Sequence, residues 1–156
     1  MIAATDLREL ARELLYASGS DPDDARVVSE ALVWADLRGR HPQGVARLPM
    51  LVDRLERGLV RSPAPMKWER KAGAVELLDA ADAFGHVSGC EAILRACDLA
   101  AKMGVGAVGV RNSNHFGAAS WFCGLAAERG CAALAFTNAV PKVVPFGGRR
   151  PALGTN

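Results

Sequence analysis

Two short stretches hold most of the side chains able to do chemistry. The first, Arg111-Asn112-Ser113-Asn114-His115-Phe116-Gly117-Ala118-Ala119-Ser120, places hydrogen-bonding groups and one imidazole ahead of a run of small residues. Histidine exchanges a proton near neutral pH. Small residues opening a helix let a ligand approach the free backbone N–H groups, which with the helix dipole favour a phosphate. Phe116 to Ser120 is therefore a candidate diphosphate seat. The residues alone leave open whether His115 is a loop hydrogen-bonder or a proton-transferring group.

The second stretch, Arg38-Gly39-Arg40-His41-Pro42-Gln43-Gly44-Val45-Ala46-Arg47, reads as a break between two helices. Arg38 and Arg40 read as solvated charges. Arg47, flanked by apolar Val45 and Leu48, is either a surface charge or a planar fork for a carboxylate.

Other chemistries lack their residues. The only G-x-G, Gly104-Val105-Gly106, precedes an apolar run instead of following one, so the Rossmann fingerprint is absent. No G-x-S-x-G elbow occurs, and neither Asp36 nor Asp82 has a second acid at glycosidase-like spacing. Cys90, Cys97, Cys123 and Cys131 form no C-x-x-C pair, so they read as buried thiols of a reducing compartment, with no metal expected. Trp34, Trp68 and Trp121 read as core or interface rings.

Charge points away from large polyanionic partners. Nineteen Lys and Arg face 17 Asp and Glu for a net +2, too little for the single-sign field that drives nonspecific binding to nucleic acid or a membrane surface. No apolar window approaches the roughly 20 residues a bilayer needs, and no signal-peptide pattern opens the chain. A soluble cytoplasmic protein is the expectation. With 156 residues, half of them hydrophobic, the chain is one domain's worth of polypeptide with a packed core.

The elements that must position the two stretches follow from periodicity. Leu7, Leu10, Ala11, Leu14 and Leu15 predict a helix over 5–17, capped by Thr5. Ser20 or Asp21, then Pro22, Asp23 and Asp24, predict a second start, with that helix running to Gly39. A third is expected over 44–58, although Pro49 restricts its first turn. Arg61 to Pro65 is an extended connector. Then the period changes: a hairpin of 66–70 and 74–79, a helix over 85–103 closed by Gly104, a buried strand over 105–110, a polar loop 111–117, a helix over 118–129 and a second buried strand over 131–136. That order is the grammar of α/β packing, in which sites lie at the carboxyl ends of strands, here at Asn112–His115 and at Thr137-Asn138.

Taken in order, Ala35-Asp36-Leu37-Arg38-Gly39, Gly44-Val45-Ala46-Arg47-Leu48-Pro49, Arg111 to Ala119, Thr137-Asn138, Pro145-Phe146-Gly147-Gly148 and Leu153-Gly154-Thr155-Asn156 resemble the type 2 malate/L-lactate dehydrogenase family over nearly the whole chain. The resemblance implies an α/β fold of the non-Rossmann type. It divides the chain into a helical segment, 1–62, at a dimer contact and an incomplete cofactor-binding α/β domain, 63–156. It implies an oxidoreductase using NAD or NADP on a 2-hydroxy or 2-oxo acid or a relative such as ureidoglycolate, sulfolactate, diketogulonate or a cyclic imino acid, working as a homodimer.

By the same resemblance, Arg47 grips the substrate carboxylate with Asn114 beside it, and His115 transfers the proton. Phe116, Gly117, Ala118, Ala119, Ser120, Asn138, Gly154, Thr155 and Asn156 meet the cofactor. Two departures stand out. Where many relatives read Ser-His-Gly, this chain reads Pro42-Gln43-Gly44, and a glutamine cannot shuttle a proton. Gln43 is then a hydrogen-bonding member of the catalytic group, and His115, or failing that His41, takes the proton. Relatives also run to about twice this length, so later strands, most nicotinamide contacts and a relay aspartate are expected past Asn156. A non-catalytic remnant or interaction module of the family is the alternative.

Overall fold

The computed structural model describes residues 2–154, so Thr155 and Asn156 lie outside the described residues. Five α-helices and a three-stranded sheet follow the chain as α1 (Ala4–Ala17), α2 (Pro22–Asp36), α3 (Leu48–Glu56), β1 (Lys67–Ala72), β2 (Val75–Asp79), α4 (Gly85–Met103), β3 (Ala107–Arg111) and α5 (Ala119–Glu128). The sheet order is β1-β2-β3, with β1 antiparallel and β3 parallel to β2. This is the mixed α/β class expected.

Helix starts and stops mostly follow local chemistry. Asp21 caps α2, its carboxylate accepting from the N–H groups of Asp23 and Asp24. Thr5 does not cap α1: it lies within the helix, where its hydroxyl turns to Asp6, and Ala3 occupies the cap position without a side-chain bond. The second helix ends at Asp36, not Gly39, because Gly39 enters the left-handed region (φ +69°) and the Arg40 N–H returns to the Ala35 carbonyl.

The single helix expected over 44–58 is instead two 3₁₀ turns, His41–Gln43 and Val45–Arg47, followed by α3. Gly44 is extended between the turns, and the Val45 N–H is drawn to Asp36 Oδ2 at 2.8 Å. Regular helix begins only around Pro49, whose missing N–H fits a first turn.

One hydrophobic cluster joins Ala11, Leu15, Val28, Leu32, Leu51, Phe84 and Val87, fastening α1, α2 and α3 to the start of α4. A second packs Ala31, Trp121 and Phe122 between α2 and α5. Helix α4 covers one face of the sheet, and Gly106 permits the close approach, because a Cβ there would meet the Ala96 carbonyl. Bidentate Arg95 closes that face over the buried Glu76 carboxylate at 2.7 and 2.8 Å, which holds the Glu76 carboxyl below its ordinary range.

The two strands expected to be buried are not. Strand β3 runs 107–111, and Val105 and Val110 are exposed, because only the α4 side of the sheet is covered among the described residues. The run 131–136 forms no strand. Its residues alternate between half-buried and exposed, and Leu134 and Phe136 are 82% and 83% exposed. Thr137-Asn138 accordingly follows no strand. Among the cysteines only Cys97 is buried, and Trp68 is 42% exposed. No helix among the described residues is long and apolar enough to cross a membrane.

Candidate active site

The polar loop after β3 is locked to the turn after β2. The N–H groups of Ala80 and Asp82 donate to the carbonyls of Arg111 and Asn112 at 2.9 and 2.8 Å. Asp79 accepts from the Asn112 amide (3.0 and 3.1 Å), from the Ala81 N–H (3.1 Å) and from Arg111 Nε (3.1 Å), and these donors hold its carboxyl below the usual carboxylate range. Ala81, Asp82 and Asn112 adopt positive φ of 48°, 67° and 50°. Non-glycine residues sustain that conformation only where surrounding contacts over-determine it.

Asn114 ties this loop to the helical segment. Its amide nitrogen donates to the carbonyls of Leu59, Asp82 and Ala83 (3.2, 3.0 and 3.3 Å), and its Oδ1 accepts from Arg54 Nη1 of α3 at 3.2 Å. The side chain is thus engaged with the protein itself.

His115 follows, half-buried. Its Nε2 is buried with no hydrogen-bond partner. Burial, then the guanidinium of Arg47, then that of Arg54, hold its pKa below the ordinary imidazole value. Arg47, 68 positions earlier in sequence, is thus one of the charges that act on the His115 imidazole. Arg47 is steadied by its Nε, which donates to the Pro42 carbonyl at 2.6 Å. Gln43, one position on from that carbonyl, keeps its Oε1 buried and without a partner.

His41 lies elsewhere. It is 72% exposed, and its Nδ1 sits 2.8 Å from Asp36 Oδ1. Asp36 orders this break between helices, since its other oxygen takes the Val45 N–H and its carboxylate fills the space a Cβ at Gly44 would need.

Under the loop lies a group that sequence reasoning missed. His86, in the first turn of α4, is 1% exposed with neither ring nitrogen bonded. Its ring stands edge-on to His115, centroids 5.8 Å apart and planes at 74°. Gly117 (φ +77°) roofs it, since a Cβ there would lie 2.6 Å from His86 Nε2. At Gly85 a Cβ would run into the backbone of Asn114 and His115. The hydroxyls of Ser88 and Ser113 share a hydrogen bond at 2.8 Å. Gly85-His86-x-Ser88 therefore seats the loop, and the glycine directly before a helical histidine was the available signal.

Past His115, Phe116 stacks on Phe122 at 4.8 Å, and α5 starts at Ala119 with Ala118 in the cap position and no side-chain cap. Its first N–H groups are left to a ligand or water. Ala119 is half-buried and Ser120 exposed in that first turn, so small side chains line the approach. Asn138 is exposed in the irregular stretch after Phe136, which folds back through an isolated bridge of Val143 with Leu153 just before Gly154. Among the described residues no cluster of three His, Cys, Asp or Glu side chains is arranged to hold a metal.

The family model of malate/L-lactate dehydrogenase matches residues 2–156. The chain belongs to that family. It is similar to a malate dehydrogenase of Pyrococcus abyssi, 40% identical over 143 residues that make up 92% of this chain and 40% of the relative. It is 34% identical to an L-sulfolactate dehydrogenase of Methanothermobacter thermautotrophicus over 95% of this chain and 43% of the relative. Its backbone superposes on the solved malate dehydrogenase of Pyrococcus horikoshii with a TM-score of 0.90 and 33% identity, covering 99% of this chain and 44% of that one. The chain thus spans less than half the length of these dehydrogenases. The fold is that of the malate/L-lactate dehydrogenases, and the family's named members are oxidoreductases.

Proposed function

We propose that this chain carries the substrate-gripping and proton-handling part of a dehydrogenase that interconverts a 2-hydroxy acid and its 2-oxo acid with NAD or NADP. The observation that carries the reading is the influence of the Arg47 guanidinium on the half-buried His115 imidazole. The two come from different elements, burial and the Arg47 charge both disfavour protonation of the imidazole, and Arg54 is held by Asn114, the residue before His115. Arg47 orients the acid through its carboxylate, and the fork geometry suits two parallel hydrogen bonds.

His115, biased toward its neutral form by burial and by two cations, accepts the hydroxyl proton during oxidation and returns it during reduction. Gln43 has no proton to shuttle and serves as a hydrogen-bond partner for the substrate's oxygen. Asn114 holds Arg54 and the loop in register beside the acid. His41, paired with Asp36 on the solvent side, is the lesser candidate for the proton.

The residues present suit a dinucleotide. Gly117, Ala118, Ala119 and Ser120 offer the uncapped N–H groups of α5 with no bulky side chain in the way, and Phe116 is braced by Phe122. Asn138 and Gly154 to Asn156 complete the expected contacts. When bound, the nicotinamide accepts or donates the hydride. In this reading residues 1–62 form the substrate-side helical segment and subunit contact of a homodimer, and 63–156 the cofactor side.

The test is a titration of NADH and NADPH followed by nicotinamide fluorescence, then addition of pyruvate or oxaloacetate with absorbance monitored. Saturable binding and consumption of the reduced cofactor support the proposal. Binding of neither cofactor leaves the second reading, a non-catalytic interaction module. Gln43, which cannot shuttle a proton, favours that second reading.

A further inference from the structure

Helix α3 and its two caps carry three arginines in unlike surroundings. Arg57 is exposed and pairs with Asp53 at 3.3 Å, an ordinary surface contact that occupies the nearest acid. Arg47 and Arg54 are half-buried, and among the described residues neither forms an ion pair with an acid. Arg47 stands at the N-cap with φ −86° and ψ −14°, so the helical spacing already holds there. Seven residues fall about 20° short of two full turns and rise about 10 Å, so Arg47 and Arg54 leave α3 on one side.

Arg54 is braced but not neutralised. Its Nη1 donates to Asn114 Oδ1 at 3.2 Å, while the Asn114 amide nitrogen is committed to the carbonyls of Leu59, Asp82 and Ala83. Those three acceptors fix which end of the amide faces Arg54. The brace is neutral, so it orients the guanidinium without cancelling its charge, and it takes one of five N–H donors. His115, next in the chain, feels both arginines: after burial, the charges of Arg47 and then Arg54 hold its pKa down. Two half-buried cations acting on one imidazole, with no acid to offset them, repel each other, a cost characteristic of a place where an anion binds.

We propose that Arg54 is a specificity-determining residue that binds a second carboxylate on C3 of the substrate, so that the preferred 2-hydroxy acid is a dicarboxylate. This rests on the proposed roles of Arg47 and His115. A monocarboxylate offsets the charge of Arg47 and leaves that of Arg54 standing, whereas a dicarboxylate offsets both. The planar guanidinium suits the planar carboxylate, and an arginine already held in place loses less freedom on binding it. With one acid group on each arginine, the C2 hydroxyl lies between them and falls to His115. Asn114 acts through Arg54, as its mount.

The experiment is calorimetric titration of the 156-residue chain with L-malate and with L-lactate, which differ only in the C3 carboxylate, at constant ionic strength and neutral pH with no cofactor present. L-Malate is expected to bind about 10- to 100-fold more tightly than L-lactate, the range for a charge-assisted hydrogen-bonded contact. In Arg54→Gln the preference should fall to within about threefold, with the affinity for L-lactate unchanged. Equal affinities in the wild type, no binding of L-malate, or an equal loss for both ligands in the variant overturns the proposal, and the first two need no variant to fold. Equal binding of the two acids leaves the dehydrogenase reading standing, because that reading is decided by cofactor binding.

Discussion

Arg54 of α3 donates to Asn114 Oδ1 across 60 positions of sequence, at 3.2 Å, and thereby fastens the helical segment to the loop that carries His115. The Asn114 amide simultaneously holds three backbone carbonyls from two other segments. The loop's position is therefore set by a side chain beside the imidazole and by the backbone turn of Asp79 to Asp82.

Asn114→Ala removes the side chain's bonds and leaves one guanidinium N–H and the Leu59 and Ala83 carbonyls to find other partners, while the Asp82 carbonyl keeps the Arg61 N–H. Each unsatisfied buried group costs about 1–3 kcal/mol, partly relieved by water at this half-buried site. We expect a loss of about 2–4 kcal/mol in urea unfolding, and a broadened His115 resonance in NMR spectra of the folded variant.

Gly85→Ala separates local propensity from packing. Alanine favours a helix interior over glycine by about 1 kcal/mol, yet here its methyl would enter the backbone of Asn114 and His115. Overpacking of this kind costs about 1–3 kcal/mol. The variant is expected to melt below the wild type in a thermal scan, whereas an increase in Tm would show that the loop yields easily.

Acidity should destabilise the fold through His86 before it acts on the carboxylates. In the folded chain His86 stays neutral down to about pH 3, whereas unfolded it protonates near its ordinary value of 6.5. Below that ordinary value the unfolded state binds more protons, so its share of stability is fully present above about pH 6.5 and is lost as pH falls toward 3. The slope is about 1.4 kcal/mol per pH unit for one such group, with His115, also lowered, adding in the same sense. Urea midpoints between pH 6.5 and 5 should fall steeply in the wild type and less steeply in His86→Gln.

If turnover is found, the two halves of the site should separate kinetically. Arg47→Ala is expected to raise KM for the 2-oxo acid about 10- to 100-fold, from the loss of charge-assisted hydrogen bonds. His115→Ala is expected to lower kcat about 100- to 10,000-fold, the range of general acid–base catalysis. Steady-state kinetics on both variants checks the assignment, and equal effects on both constants would contradict it.

The two chemically dense stretches were legible because their residue types are conspicuous: several polar side chains and a histidine before small residues, and an arginine one turn past a glycine. Helix α4 and the hairpin were legible from period and from Gly104 in its left-handed cap. His86 was not, because the glycine before it is its only sequence signal, and the meaning of that pair arises only when the loop folds across it. The strand expected at 131–136 failed for a related reason. Apolar composition signals a strand's readiness to be buried, but pairing needs a neighbour, and none adjoins it among the described residues. The break at 37–47 defeated periodicity because Asp36, by bonding the Val45 N–H, outweighed the helical spacing of Val45 and Leu48.

The central claim is that the Arg47 guanidinium and the His115 imidazole converge on one region, and the most direct measurement is the NMR titration of His115 in the wild type and in Arg47→Met. The wild-type pKa is expected below the ordinary imidazole value and should move upward when the Arg47 charge is removed. Superimposable titration curves in the two proteins, both well folded, would contradict it.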